Sequence, residues 1–166
     1  MKKYLTLILI YAVVLLSAAC PKVEKTFRTA SEQSAKMKIY GIELINANIE
    51  LKRNGTISAA ELRSLNVYTG GFVAGVKIYQ QALDEAEKII KSGQPLPAGT
   101  LAKLSVIFSD NVIDAFFGIL NGLKIFPNAN SLAVRAILSS IRLAILATQN
   151  ALGESFNVQR MNEVSI

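Results

Sequence analysis

The chain has no histidine, no tryptophan and only one cysteine among its 166 residues. Without histidine it cannot form a Ser-His-Asp or Cys-His nucleophilic system or an imidazole zinc site, and one cysteine cannot supply a thiolate cluster for zinc. A glycine-rich phosphate-binding loop is also missing. These absences leave a carboxylate-only hydrolase, such as a glycosidase with two acids, as the catalytic class that stays open. We therefore expect a protein that is not an enzyme and that has no cofactor.

The first twenty residues have the order of an export signal. Two lysines follow Met1, residues 4–16 form an uncharged apolar run, and the small residues 17–19 precede Cys20. The run is shorter than the roughly 20 residues that a membrane-spanning helix needs, so we interpret it as a signal rather than a span. This order resembles the signal segment of bacterial lipoproteins, whose cysteine receives diacylglycerol and becomes the mature N-terminus. The resemblance implies that Cys20 is the lipidation site.

Two other fates of this segment stay open. Ser17 and Ala19 also fit the small-x-small rule of ordinary signal peptidase, which would cut before Cys20 and leave a secreted protein, and an uncleaved anchor is the third alternative. Lipidation is favoured because the sole cysteine falls at the cut site and an unpaired thiol is unfavourable in an oxidising compartment. The resemblance implies a protein of the cell envelope, lipid-anchored to a bacterial membrane and facing the periplasm or the exterior.

The composition is typical of one globular domain, with 51% hydrophobic and 18% charged residues. The expected organisation has four parts: residues 1–19 as a lipoprotein signal peptide, 20–29 as a lipid-anchored basic linker, 30–153 as a helical bundle domain and 154–166 as a polar C-terminal tail. In the linker, Lys22, Lys25 and Arg28 could meet anionic lipid headgroups, or they could simply be solvated.

Helix caps and apolar periodicity predict an all-α fold, an up-down antiparallel four-helix bundle. Its helices are expected at about residues 30–53, 59–92, 101–126 and 132–152. The first should begin after Thr29, because Thr29 and Glu32 have the spacing of a capping box. Ser58 and Glu61 have the same spacing and should open the second helix, after a stop at Gly55.

The first predicted helix has two apolar faces. One face is a seam at three-four spacing: Met37, Tyr40, Leu44, Ala47 and Leu51. On nearly the opposite side lie three isoleucines: Ile42, Ile45 and Ile49. A helix with two such faces either lies inside its bundle or offers its second face to a partner.

Two glycines of the second predicted helix, Gly71 and Gly75, lie one turn apart. They could let the backbone of a neighbouring helix approach closely, or they could be an accidental pair of small residues. The accidental pair is the interpretation that we favour from the sequence.

The third and fourth predicted helices are the most apolar parts of the folded domain. Charges interrupt both of them, so we interpret them as a buried hairpin rather than as membrane spans. An antiparallel hairpin turning near residue 128 would set Asp114 beside Arg142, with Asp110 one turn away. Because charges on apolar helices are costly unless paired, we predict a structural ion pair of these residues. A functional polar pocket is the alternative.

Residues 50–61 look like the second half of an EF-hand calcium loop. The candidate ligands are Asn54, Thr56, Ser58 and Glu61, with Gly55 at the sharp turn. Position three of such a loop must donate an oxygen, and here it is Lys52, whose ammonium opposes a dication. A glycine helix stop followed by a capping box explains the same letters, so we expect no metal site.

We expect a non-catalytic, membrane-anchored lipoprotein that acts as an envelope interaction or structural module. An exclusion or immunity lipoprotein of a mobile element is one alternative, and a carrier of an apolar ligand inside the bundle is another. The expected partners are a membrane lipid, through Cys20, and another envelope protein, with a homo-oligomer left open. Nucleic acid is not an expected partner, because basic and aromatic residues do not cluster.

Overall fold

The computed structural model describes the backbone of residues 2–153 and the side chains of residues 23–153. It contains four helices: α1 (Lys2–Arg53), α2 (Ala59–Lys91), α3 (Thr100–Ile125) and α4 (Leu132–Leu152). The described residues contain no strand, so the predicted all-α fold with four helices is confirmed. The side chains of the predicted signal peptide and of Cys20, and the predicted tail at 154–166, lie outside the described part of the chain.

The α3 helix has a local irregularity at its centre. It is α-helical at Thr100–Phe108 and at Asp114–Ile125, and a π-helical turn, Ser109–Ile113, separates the two segments. A short 3-10 turn at Pro127–Ala129 then leads to α4. The π turn contains one extra residue, which displaces the local backbone outward from the regular helix.

The predicted capping box opens α2, and α4 also begins and ends at cap residues. Ser58 precedes α2, and its hydroxyl accepts a hydrogen bond from the backbone N–H of Glu61 while the Glu61 carboxylate accepts one from the backbone N–H of Ser58. Ser131 caps α4 through its hydroxyl, which accepts a hydrogen bond from the backbone N–H of Val134. Gly153 ends α4 at a φ of +74°, which favours glycine.

The predicted start of the first helix at Thr29 is wrong. The helix α1 begins well before this residue, and Phe27 and Ala30 are fully buried in the core. Glu32 lies near Arg28, one turn earlier on the same helix. The capping-box spacing was misleading because residues three apart also face the same side within a helix. Residues 23–29 are therefore part of the bundle rather than the basic linker that we expected.

The helices pack in an order that differs from their order in the chain. The helix α1 lies between α2 and α4, and α2 also packs against α3, whereas α3 and α4 make few contacts. The predicted hairpin of the third and fourth helices is therefore wrong. The short α3–α4 connector brings the helix ends together, but most of α4 packs along α1 instead.

One continuous core holds the four helices together. Its largest fully buried side chains are Tyr79, Phe27, Phe72, Phe108, Phe116, Met37 and several leucines and isoleucines. Each large apolar side chain buried in this way stabilises the fold by about 1.5–3 kcal/mol. The predicted seam of α1 supplies Met37 and Leu44 to this core, as three-four spacing requires.

The α2–α3 interface combines a close backbone approach with stacked rings. A Cβ atom on Gly75 would lie 1.9 Å from the carbonyl oxygen of Asn111, in the π turn, so only glycine fits here. The rings of Tyr79 and Phe108 lie 4.8 Å apart between centroids. Further along, the ring of Tyr68 covers Gly122. Residue numbers rise along α2 as they fall along α3, so the two helices are antiparallel.

Among the described residues, two helices are long and apolar enough to cross a membrane by length and composition alone. They are α3, with a mean hydropathy of 1.3, and α4, with a mean hydropathy of 1.4. Within the bundle, 44% of the α3 window and 39% of the α4 window are buried. Core helices of water-soluble proteins have the same properties, so this feature does not separate the two environments.

Candidate functional site

A shallow cleft lies where residues 24–28 of α1 meet the end of α2. Its volume is about 330 Å³, and its lining residues are Glu24, Phe27, Arg28, Glu87, Ile90 and Lys91. Four of these six side chains are charged, with two of each sign. The cleft therefore combines apolar and charged walls and is open to solvent, unlike an enclosed apolar cavity.

The electrostatics of this cleft centre on Lys91. The Lys91 Nζ atom donates a hydrogen bond to Glu87 Oε2 at 2.9 Å. That hydrogen bond raises the pKa of Lys91, and the negative charges of Glu87, Asp84 and Glu24 act in the same direction. Lys91 is therefore a cation at every physiological pH, and Glu24 of α1 is close enough to contribute to its field.

The EF-hand-like turn is built as a helix stop and a helix start. The backbone N–H groups of Asn54 and Thr56 donate to the carbonyl oxygens of Glu50 and Leu51, and Gly55 has a φ of +75°. The backbone N–H of Ser58 donates a hydrogen bond to the Glu61 carboxylate and lowers its pKa, and the Ser58 side chain acts in the same direction. The Glu61 carboxylate is thus occupied by the capping box. Within residues 23–153, no group of three or more carboxylate or thiol side chains could hold a metal ion.

Asp110 and Asp114 lie on α3 and Arg142 lies on α4, two helices that make few contacts with each other. Both aspartates are exposed on α3, whereas Arg142 is half-buried on α4. Ion pairs between described side chains join Arg28 to Glu32, Arg53 to Glu50 and Lys91 to Glu87. The expected pairing assumed that α3 and α4 face each other along their length, and α4 packs against α1 instead.

Two asparagines within the α1–α2 interface were missed by the sequence reasoning. Asn48 is 2% exposed, and the amide oxygens of Asn48 and Asn66 accept no hydrogen bond in the part of the chain that the structure describes. A Cβ atom on Gly41 of α1 would touch Val73 of α2, and this contact sets the register of the two antiparallel helices. In that register Asn48 lies level with Asn66. Asn48 follows Leu44 by four residues, and Asn66 follows Leu62 by four residues. This helical spacing from an apolar residue is a signal that could have revealed both asparagines. Buried amides of this kind can fix helix register.

Several apolar side chains remain exposed on the outer faces of α1 and α4. On α1 these are Ile39 (53% exposed), Ile42 (45%) and Ile49 (37%). On α4 they are Leu132 (85%) and Leu143 (67%). The second apolar face that the sequence predicts for the first helix is therefore open to solvent over part of its length, although Ile45 is half-buried. Exposed apolar residues grouped on one helix can serve as a contact surface.

The fold and these surfaces define the class of the described part of the molecule as a four-helix all-α domain with a small charged cleft. No protein-family model matches the chain, and no curated protein and no solved structure matches it either. Function must therefore be argued from the residues themselves.

Proposed function

We propose that this protein is a non-catalytic lipoprotein, anchored to a bacterial membrane through Cys20, whose helical domain acts as an interaction or structural module of the cell envelope. The observation that carries the proposal is the position of the sole cysteine, directly after an apolar run and three small residues. An acylated cysteine at that point would tether the whole bundle to a bilayer. The lipid faces the membrane and the bundle faces the periplasm or the exterior.

The described carboxylates support a non-catalytic role. Acid catalysis by two carboxylates needs a pair held in a cleft at a defined separation, with one pKa raised. Asp110 and Asp114 instead point to solvent. Glu87 is held by Lys91, and Glu61 is held by the cap of α2. This arrangement is typical of surface and helix-capping carboxylates.

The exposed isoleucines of α1 support a role in binding another protein. Ile39 and Ile42 lie on the same side of α1 and are about half exposed. Glu43 and Glu50 are also exposed on α1, so a partner would meet apolar side chains with carboxylates nearby. Surfaces with an apolar centre and a charged rim are typical of non-obligate protein interfaces.

The alternative of an apolar-ligand carrier gains no support from the cleft. A carrier needs an enclosed cavity with apolar walls. The cleft at the α1–α2 end is open and four of its six lining residues are charged. We therefore retain the anchored interaction module as the proposal.

Affinity capture of the membrane-extracted protein, followed by intact-mass and proteomic mass spectrometry, tests the proposal. The expected result is a mature chain beginning at Cys20 that carries diacylglycerol, together with a copurifying envelope protein. The matched control is Cys20→Ser, which should lack the lipid mass. A wild-type chain that begins at Cys20 without acyl groups would refute the lipoprotein assignment, and a capture that yields no partner would refute the interaction role.

A further inference from the structure

The bundle has one end that is tied closely to Cys20. Val23 already packs against the core, and Phe27, one turn later, is only 2% exposed. Only Pro21 and Lys22 separate Cys20 from Val23, and the three residue-to-residue steps span at most roughly 11 Å when fully extended. A lipid on Cys20 would therefore hold this end of the bundle at the membrane surface, without the linker that the sequence predicted at residues 20–29.

The connector between α2 and α3 lies at this same end. Glu24 and Phe27 of α1 line the cleft together with Ile90 and Lys91 of α2, so the last turn of α2 lies beside residues 24–27 of α1. The connector, residues 92–99, follows directly. The α1–α2 turn is at the other end, because α1 runs for another 30 residues, or about 45 Å, from Val23 to Arg53.

The composition of the connector fits a membrane surface. No residue from Ser92 to Ala102 is charged, and Lys91 and Lys103 stand on either side of this stretch. Leu101 is 39% exposed, although it opens a helix that packs on α2. An uncharged segment with an exposed leucine and flanking lysines can set its apolar part at the headgroup boundary and its ammonium groups among the phosphates.

We propose that the α2–α3 connector, together with Leu101, contacts the lipid headgroups of the membrane that holds Cys20. The inference rests on the proposed acylation of Cys20. The bundle then stands on the bilayer with its α1–α2 turn pointing away. A partner in the envelope would have free access to that turn and to the outer face of α1.

Two labelled positions at opposite ends of the bundle test this orientation. Ala98→Cys places a thiol in the connector, and Thr56→Cys places one in the α1–α2 turn; both residues are exposed. Acylation converts the Cys20 thiol to a thioether, so only the new cysteine takes a fluorescent label. Each acylated full-length variant is reconstituted in vesicles of phosphatidylethanolamine and phosphatidylglycerol that carry a headgroup quencher.

We expect several-fold stronger quenching of the label at position 98 than of the label at position 56. Equal quenching, or stronger quenching at position 56, in chains whose acyl mass is confirmed would overturn this orientation and leave the lipoprotein proposal standing. Chains that carry no acyl mass would overturn both. Adding Leu101→Ser to Ala98→Cys should weaken the quenching, and unchanged quenching would contradict a direct contact of the connector with lipid.

Discussion

The helix α3 packs in very different ways against α2 and against α4. Against α2, Gly75 receives the carbonyl group of Asn111, and the rings of Phe72 and Phe116 lie 6.3 Å apart. Against α4, which follows it in the chain, α3 makes few contacts. Shape complementarity along the helix therefore decides which helices pair, and a short connector does not.

The π turn of α3 explains part of this difference. Asn111 lies at its centre, and its side-chain Nδ2 donates to the carbonyl oxygen of Ile107 at 2.9 Å. The widened turn brings the Asn111 backbone toward α2, where the absence of a side chain on Gly75 leaves room for it. The remaining contacts then follow at regular antiparallel intervals.

The largest effect should come from removing a ring at the α2–α3 interface. Phe116 is 1% exposed and faces Phe72, so Phe116→Ala should lower the free energy of unfolding by about 3–5 kcal/mol. Chemical denaturation followed by circular dichroism measures this loss. Val106→Ala, at a 57% exposed position of the same helix, is the control and should change stability by less than about 0.5 kcal/mol. Equal losses in the two variants would mean that α3 is not docked on α2 as described.

The close approach at Gly75 should produce the next largest effect. In Gly75→Ala the new Cβ atom meets backbone, which cannot rotate away, so we expect a loss of about 1–3 kcal/mol. Gly71→Ala is a matched control on the same helix, because its Cβ atom would have nothing within 4 Å. That variant should gain up to about 1 kcal/mol from helix propensity. A stabilising Gly75→Ala would contradict the contact with Asn111.

The capping box of α2 should have a smaller and pH-dependent effect. Ser58→Ala removes the side-chain cap and should cost about 1 kcal/mol at neutral pH. Because the folded pKa of Glu61 is lowered from 4.5, its contribution is present above pH 4.5 and is lost as the pH falls through the lowered value. Unfolding of the wild type and of Glu61→Gln across this range measures the difference. A stability difference that does not shrink on acidification would argue against the capping role of this carboxylate.

The smallest effect should be seen on the outer face of α3. Asp114 is exposed, so Asp114→Asn should change stability by less than about 0.5 kcal/mol. A double-mutant cycle with Arg142→Gln isolates any direct coupling between the two residues. We expect a coupling energy near zero. A coupling of about 1 kcal/mol or more would restore the ion pair that the sequence suggested and would require α3 and α4 to face each other.

The features that could be predicted from sequence are local. The caps at Ser58 and Ser131 and the stop at Gly153 each depend on a few neighbouring residues, and the structure has all three. The false start at Thr29 shows the limit of such signals, because the same spacing occurs within a continuous helix. The helix continues through Thr29 because Phe27 and Ala30 are buried against other helices. A local motif contains no information about that burial.

The packing partners and the candidate surfaces could not be predicted in the same way. The hairpin argument used only the length of the α3–α4 connector, whereas the actual pairing depends on how Gly75 and Asn111 fit across two helices. The proposed role of the α2–α3 connector depends on the packing of α1 from Val23 onward. Three-dimensional contacts between distant parts of the chain carry this information.

The central claim is that Cys20 ties the bundle to a membrane, and metabolic labelling with a clickable fatty acid tests it most directly. Wild-type protein and Cys20→Ser are expressed in bacteria, extracted, and compared for label on the chain. We predict a labelled wild type and an unlabelled Cys20→Ser. A wild-type chain without label, or a Cys20→Ser chain that keeps it, would contradict the account.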